Sequence, residues 1–526
     1  MNLINSTNYI ESNSSKIKNL SIIFLILCTL IQLIVLKNYN NIFSILFLFM
    51  SNLLILNYCL KKENIFNYPV SIFSIIFFNI YANGGTLFFK SFLFEDLTQN
   101  LYQPNHTFFL LLVFNVVIVF THFFYTKIKF FDRVKLKINN LYSFMKVDNK
   151  NKVMIKDFFI LLGIATVVFA SISFTFFGNF IYLQKQTGPN FLGDIINGIN
   201  VFYISGFVVL YSKKFYNFSF SRKDFSLIFL SGIAIFYLSL GLNSRSAFFD
   251  LVFLGLLIYV FYYFIGYYEI KVLRLNKIFI VFIFLFFSTS LVDRFSETYI
   301  ESRESRDKTN PVQNIKNHFS TFLDRKTTKN YDFYTSANIF NENYYEVKLL
   351  NRINIIKATD NVLYAKKFIS NKQVDNLIDY EYGQIISILP SPVINLFSQS
   401  FEKDKFLNFS MTSKIFIEAD GSFGGSKSNG LIYPIVYIYN DYIFYLLFFF
   451  ILILSFLFLD SFYNRKNKSF SILLFLLFYT TGGGLINAIS QGSVSDVCAL
   501  LFRDLPQSIV IFFILFKIFS LVKKKI

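Results

Sequence analysis

Three charged positions lie where phosphate chemistry is feasible. Arg245, in Gly241-Leu-Asn-Ser-Arg-Ser246, stands in a hairpin between two apolar runs that is too short to reach far from them. Its guanidinium is therefore held at the boundary of a bilayer, at the depth of lipid phosphates. Arg503 and Asp504 occupy the equivalent level at the start of the last apolar run, and Asp293 and Arg294 end the ninth. An ionisable group at that depth costs free energy unless it has a partner or a task, and guanidinium suits the bidentate geometry of phosphate. Together these residues suit a lipid-linked diphosphate, although snorkelling and capping explain each one separately. Asn243 or Ser244 can cap the eighth helix, and Asp504, ahead of Pro506, can cap the twelfth.

A second cluster holds Lys414, Glu418 and Asp420, followed by Gly421-Ser-Phe-Gly-Gly-Ser-Lys-Ser-Asn-Gly430. Glu418 and Asp420 fall just above the next apolar run, where a carboxylate can act as general base on a sugar hydroxyl. The alternative is a solvated turn. Glycine permits close backbone approach, so Gly424, Gly425 and Lys427 are candidates for a substrate-contacting loop. No metal is called for. His318 stands alone in the hydrophilic stretch while His106 and His122 begin and end one apolar run, and Cys28, Cys59 and Cys498 show no CxxC spacing.

The elements that must position these residues are set by composition. Of 526 residues 54% are hydrophobic and 16% charged, with 74 Phe and a mean hydropathy of +0.50, against roughly a quarter charged in soluble domains. Apolar runs near the roughly 20 residues needed to cross ~30 Å of hydrocarbon occur at 20–36, 42–60, 66–88, 106–126, 157–177 and 194–212. Six more lie at 225–241, 246–266, 277–292, 441–460, 469–487 and 505–522. Backbone polar groups inside a bilayer must bond within the segment, and the runs lack the alternation of barrel strands. The expected fold is all-α, a polytopic membrane bundle of about twelve helices. The expected division is 1–292 for spans one to nine, 293–430 for one large loop and 431–526 for the last three spans. The first run has no small-residue cleavage site after it and reads as an uncleaved signal anchor.

The net charge of +18 does not point to nucleic acid, because the lysines follow topology. Lys16, Lys18, Lys61, Lys62, nine basic residues from Lys127 to Lys156, Lys213, Lys214, Lys271 and the tail Lys523 to Lys525 fall on one side; the short loops opposite hold only Lys37, Lys90, Lys185, Arg245 and Arg503. By the positive-inside rule both termini are cytoplasmic, with the lysines facing anionic membrane lipid. The loop from 293 to 430, with 18 basic and 17 acidic residues, is then outside. A structureless loop of that length is improbable. Asn343–Ser370 shows helical apolar spacing, Pro390 and Pro392 mark a break, and Asn440 with Asp441 should divide the run that follows Gly430 into an interfacial or re-entrant piece and a true span.

Asp379-Tyr-Glu-Tyr-Gly-Gln-Ile-Ile-Ser-Ile-Leu-Pro390, the Gly-rich stretch about thirty residues later, and the aromatic helix start at Tyr433 and Tyr437 resemble the outer loop of oligosaccharide repeat-unit polymerases of the O-antigen type. Asn243-Ser-Arg-Ser246 and Leu501-Phe-Arg-Asp-Leu505 are similar to two further motifs of that family. The likeness is architectural over the whole chain and at motif level over about seventy residues. The chain departs from the family in having Ser391 and Pro392 where an arginine commonly follows the proline. It also has no glutamate at the Pro434 and Ile435 helix start, and no glycine between Arg503 and Asp504.

The resemblance implies a GT-C-like glycosyltransferase without cofactor in a bacterial inner membrane. Such an enzyme moves a glycan from undecaprenyl diphosphate onto a second lipid-linked unit, with or without a chain-length-regulating co-polymerase. Arg245, Arg503, Arg294 and Lys414 would then neutralise the diphosphate, and Glu418 or Asp420 would take the proton. An O-antigen ligase shares this topology and would be favoured by an essential His318. A lipid-linked oligosaccharide flippase should show repeat symmetry and short outer loops, and the chain shows neither.

Overall fold

The computed structural model describes residues 6–36, 41–142, 147–148, 151–177, 202–241, 246–268, 344–346, 348–351, 355–398, 400–407, 409–420, 432–465, 467–478 and 492–525, with positions 316, 320 and 489. Its elements are helical apart from a two-residue hairpin that pairs Tyr463–Asn464 with Ser469–Phe470. Seven helices among the described residues are long and apolar enough to cross a membrane: Ile10–Val35, Ile42–Cys59, Pro69–Phe92, Pro104–Lys127, Lys152–Ser171, Tyr442–Ser461 and Val494–Lys523. Helices Ser205–Tyr211, Arg222–Gly241 and Ser246–Phe264 overlap three further expected runs, the first over only seven residues. The run at 277–292 lies outside the described residues.

We label these α1 (Ser6–Leu30, continued by a π turn to Val35), α2 (Ile42–Cys59), α3 (Pro69–Phe92), α4 (Pro104–Lys127), α5 (Lys129–Leu141), α6 (Lys152–Phe177), α7 (Ser205–Tyr211), α8 (Arg222–Gly241) and α9 (Ser246–Phe264). The lid helices are α10 (Ile355–Ala365), α11 (Asn371–Ile386), α12 (Ser391–Phe397), α13 (Lys403–Leu407) and α14 (Met411–Asp420). After them come α15 (Ile432–Tyr439), α16 (Tyr442–Ser461) and α17 (Leu473–Leu477). The last helix is α18 (Val494–Lys523).

Two hydrophobic environments account for the helix faces. α2 packs along α4, and α16 packs on α3, α4 and α5, enclosing Ile45, Leu48, Phe108, Phe114, Phe444 and Phe456. The opposite faces leave Phe43, Met50, Phe120, Phe229 and Leu446 open. Water would oppose that display; lipid tails accept it.

Contacts also sort the connections into two ends. At one end the Asn13 amide donates to the carbonyls of Tyr263 (2.8 Å) and Tyr268 (2.6 Å), Asn139 donates to Ser461 (2.8 Å), and Lys156 pairs with Asp224 (2.6 Å). At the other end, residues 93–103 and the start of α18 meet α10 and α11.

Local sequence explains the lid's joints. Ser370 and Gln373 form a capping box at the start of α11, and the Gln373 amide also donates to the Glu418 carbonyl (2.5 Å), tying α11 to α14. α11 ends at Ile386, and α12 begins at Ser391, between the two prolines. Asn440 adopts φ 50°, a conformation asparagine tolerates, and the Asp441 side chain then caps α16 by accepting from the Ile443 N–H (2.7 Å). The expected division of that apolar run is therefore present.

Two expectations are corrected. The 343–370 helix is shorter: residues 344–346 lie outside any helix, the described helical residues are Lys348–Asn351 and Ile355–Ala365, and a 3-10 turn, Lys366–Phe368, closes it. Asp504 does not cap the last helix. That helix starts at Val494, capped by Ser493, whose side chain accepts from the Asp496 N–H (3.1 Å), and Arg503 and Asp504 lie in a π turn inside it, Leu500–Asp504.

Candidate functional site

The lid is seated by charges that the bilayer-end geometry forces to pair. Asp360 of α10 is fully buried and accepts from the backbone N–H of Tyr102 (2.7 Å) and Gln103 (2.9 Å) and from the Thr107 hydroxyl (2.9 Å). These groups belong to the first turn of α4 and the two residues before it, where amides lack partners and the helix dipole favours an anion. One turn earlier on α10, the Lys357 ammonium donates to the Asn100 carbonyl (2.5 Å), stands 3.8 Å from Asp360 and lies 4.0 Å over the Tyr102 ring. Burial outweighs Asp360 and holds Lys357 down at about 8.

A parallel joint fixes Tyr344. Lys90 is fully buried, donates to Glu95 (2.6 Å) and to the Tyr344 carbonyl (2.5 Å), and the Tyr344 hydroxyl donates to the Leu97 carbonyl (2.6 Å). Lys90, counted in sequence as an outer-loop charge, is thus a packing element.

Between α11, α15 and α18 lies a carboxylate that residue spacing did not single out. Glu381, inside the Asp379–Pro390 motif, is fully buried. Its Oε2 accepts from the Tyr439 hydroxyl (2.6 Å) and its Oε1 from the Ser495 N–H (2.6 Å). Beside it the Ser495 hydroxyl donates to the Gln384 side-chain carbonyl (2.9 Å). Burial pushes the Glu381 carboxyl above its ordinary range, against the pull of both donors. Two residues on, Gly383 faces Phe406 of α13 so closely that an added Cβ would collide with the ring. The Glu-Tyr-Gly triplet therefore packs α11 against α13, α15 and α18 at once.

Of the residues expected from sequence, Glu418 is paired with Lys414 (2.7 Å, one helical turn apart), so each is partly neutralised by the other. Asp420 ends α14. Arg503 is partly exposed and its Nε donates to Asp504 (2.7 Å). Lys403, which was not anticipated, donates to the Leu389 carbonyl (3.0 Å) and feels the Arg503 charge; burial and that guanidinium lower its ammonium below the ordinary range. Lys403 and Arg503 thus feel each other's charge from α13 and α18, two helices that pack against α11. Arg245, Arg294, Gly424, Gly425, Lys427 and His318 lie outside the described residues.

A further polar cluster lies at the opposite end of the bundle. Asp460 accepts from the Ser71 N–H (3.1 Å) and hydroxyl (2.7 Å), Ser71 Oγ is 2.9 Å from His122 Nε2, and His122 Nδ1 is 2.8 Å from the Tyr58 hydroxyl. The serine bridges acid and imidazole, whereas a nucleophilic relay needs the imidazole between acid and serine. Its arrangement satisfies buried polar groups on α2, α3, α4 and α16.

No protein-family model matches the chain, and no curated protein or solved structure matches it.

Proposed function

We propose that the chain is a membrane glycosyltransferase of the repeat-unit polymerase type, joining oligosaccharides carried on undecaprenyl diphosphate at the outer face of a bacterial cytoplasmic membrane, with both termini cytoplasmic. The observation that carries this reading is the seating of the lid. Helices α10, α11 and α14 cover one end of a lipid-facing bundle, and Arg503 and Lys403 feel each other's charge from two elements, α18 and α13, that both pack against α11. A protein that only spanned the bilayer would not need such a cover.

In this reading the acceptor hydroxyl oxygen attacks the donor's anomeric carbon, and the bond from that carbon to the diphosphate oxygen breaks. The departing electron pair stays on the diphosphate. Arg503 and Lys403 neutralise it, with Arg245 and Arg294 as further partners, because preorganised cations act most strongly where charge develops. Glu418 or Asp420 receives the hydroxyl proton.

Deleting the gene distinguishes the reactions. A polymerase leaves lipid core bearing a single repeat unit, a ligase leaves none attached, and a flippase traps units on the cytoplasmic side; either of the last two outcomes overturns the reading. Arg503→Ala is expected to reduce polymer formation by about 100-fold, on the order of the loss when one transition-state donor is removed, in protein that inserts normally. Arg503→Lys should recover part of it. Full polymer length in Arg503→Ala would take Arg503 out of the site.

A further inference from the structure

At the lid end, Lys90, Lys357 and Lys414 each face a carboxylate, at 2.6, 3.8 and 2.7 Å. Lys366 and Lys367, which follow α10 in the 3-10 turn, do not: among the described residues no carboxylate stands within ion-pair distance of either. Lys366 instead donates to the Tyr437 carbonyl (3.3 Å) and lies 4.0 Å over the Tyr437 ring. Lys367 lies 5.2 Å from the ring of Tyr364. His106, in the first turn of α4, meets Tyr437 edge-on at 5.4 Å, and both ammonium groups act on it electrostatically. The nearby Asp360 is enclosed and committed to Tyr102, Gln103 and Thr107. Lys366 and His106 thus meet on the Tyr437 ring from two separate segments, with Lys367 beside them against Tyr364, and among the described residues no carboxylate stands within ion-pair distance of the two lysines. Burial alone lowers the Lys366 ammonium below its ordinary range, the sign of a cation that an anion would stabilise.

Depth identifies the anion. His106 stands at the start of an apolar membrane helix, and below it Phe109, Val116 and Phe120 are exposed at helical spacing, with the half-buried Val113 between them. Exposed Tyr102 and Phe368 flank the basic group, as aromatic residues do at headgroup level. A phosphate at the lysines would set an attached hydrocarbon chain along that stripe.

We infer that His106, Lys366 and Lys367 form a headgroup site for an anionic phospholipid of the surrounding leaflet, with Tyr437 as its floor and the Phe109–Phe120 face of α4 as the seat of an acyl chain. The site does not depend on the transferase reading. It would anchor the lid where α10 enters the bundle.

Native mass spectrometry of the purified full-length protein, titrated with phosphatidylglycerol or phosphatidylcholine, tests this. The wild type should hold one phosphatidylglycerol more tightly than phosphatidylcholine. The Lys366→Ala/Lys367→Ala variant should lose that preference by about 30-fold, from about 1 kcal/mol per lysine near a lipid surface. The Lys366→Arg/Lys367→Arg variant should keep it, which separates lost charge from lost folding. Millimolar inorganic phosphate should not displace the lipid. Equal retention by wild type and a monodisperse double-alanine variant overturns the site. Displacement by inorganic phosphate, or by stoichiometric polyprenyl phosphate, overturns the phospholipid assignment.

Discussion

Asp360→Ala is expected to detach the lid from the start of α4 and to cost about 3–5 kcal/mol, the range found when one partner of a buried pair is removed. The substitution takes one acceptor from three donors, the N–H groups of Tyr102 and Gln103 and the Thr107 hydroxyl. It also leaves the Lys357 ammonium enclosed with only the Asn100 carbonyl and the Tyr102 ring. Asp360→Asn keeps an acceptor and loses the charge, so its cost should be intermediate. Adding Lys357→Met to Asp360→Asn removes the uncompensated cation and should recover part of the loss, giving a coupling that the two single changes do not share out additively. Limited proteolysis between α10 and α11, on protein reconstituted in lipid, reads the detachment directly. If Asp360→Ala resists protease as the wild type does, the lid is held elsewhere.

Much of this scaffold could be read from sequence because the bilayer imposes one strong rule. A segment without water must be helical and about 20 residues long, so the runs at 42–60, 106–126 and 441–460 coincide with α2, α4 and α16. The break at Asn440 and Asp441 was legible for a local reason, since the apolar run was too long for one span. The lid was less legible. Its docking is set by polar residues whose partners are remote in the chain: Asp360 meets residues about 257 positions away, and Glu381 meets Ser495 across 114. The apolar spacing of 343–370 reported a buried face but not the lysine and aspartate on it that decide where the helix sits. Glu381 lies in the Asp379–Pro390 motif, yet nothing in its spacing marks it, whereas Glu418 and Asp420 stand out by falling just above an apolar run. Asp504 ahead of Pro506 has the pattern of a helix cap; the true cap, Ser493, lies eleven residues earlier, and a π turn absorbs the irregularity.

Glu381→Ala should have the largest effect on function, although the carboxylate is enclosed and acts by position. Its two oxygens are the common acceptor for α15, through Tyr439, and for α18, through Ser495. Alanine leaves both donors buried and unpaired, at about 1–3 kcal/mol each, and opens space between three helices. Arg503 lies two turns beyond Ser495 on the same helix and should lose its register with Lys403. Polymer formation is then expected to fall by 100-fold or more in protein that still inserts. Glu381→Gln can serve only one donor with its carbonyl and turns an N–H toward the other, so it should be intermediate. A readout independent of activity comes from Cys498, one turn past Ser495 and buried. In a chain with Cys28 and Cys59 replaced by serine, maleimide labelling of Cys498 should accelerate at least tenfold in Glu381→Ala.

The pH dependence has a definite sign. Burial raises the Glu381 carboxyl in the folded state, so the folded protein binds the proton more tightly than the unfolded chain does. Docking is then strongest below the ordinary glutamate value of 4.5 and weakens as pH rises through the raised folded value. In the wild type, Cys498 labelling should slow as the solution is acidified, after correction for the thiol's own ionisation, and Glu381→Gln should abolish that slope. Identical slopes and unchanged labelling in both variants would mean that the junction of α11, α15 and α18 is held by its apolar contacts and that Glu381 does not control the position of Arg503.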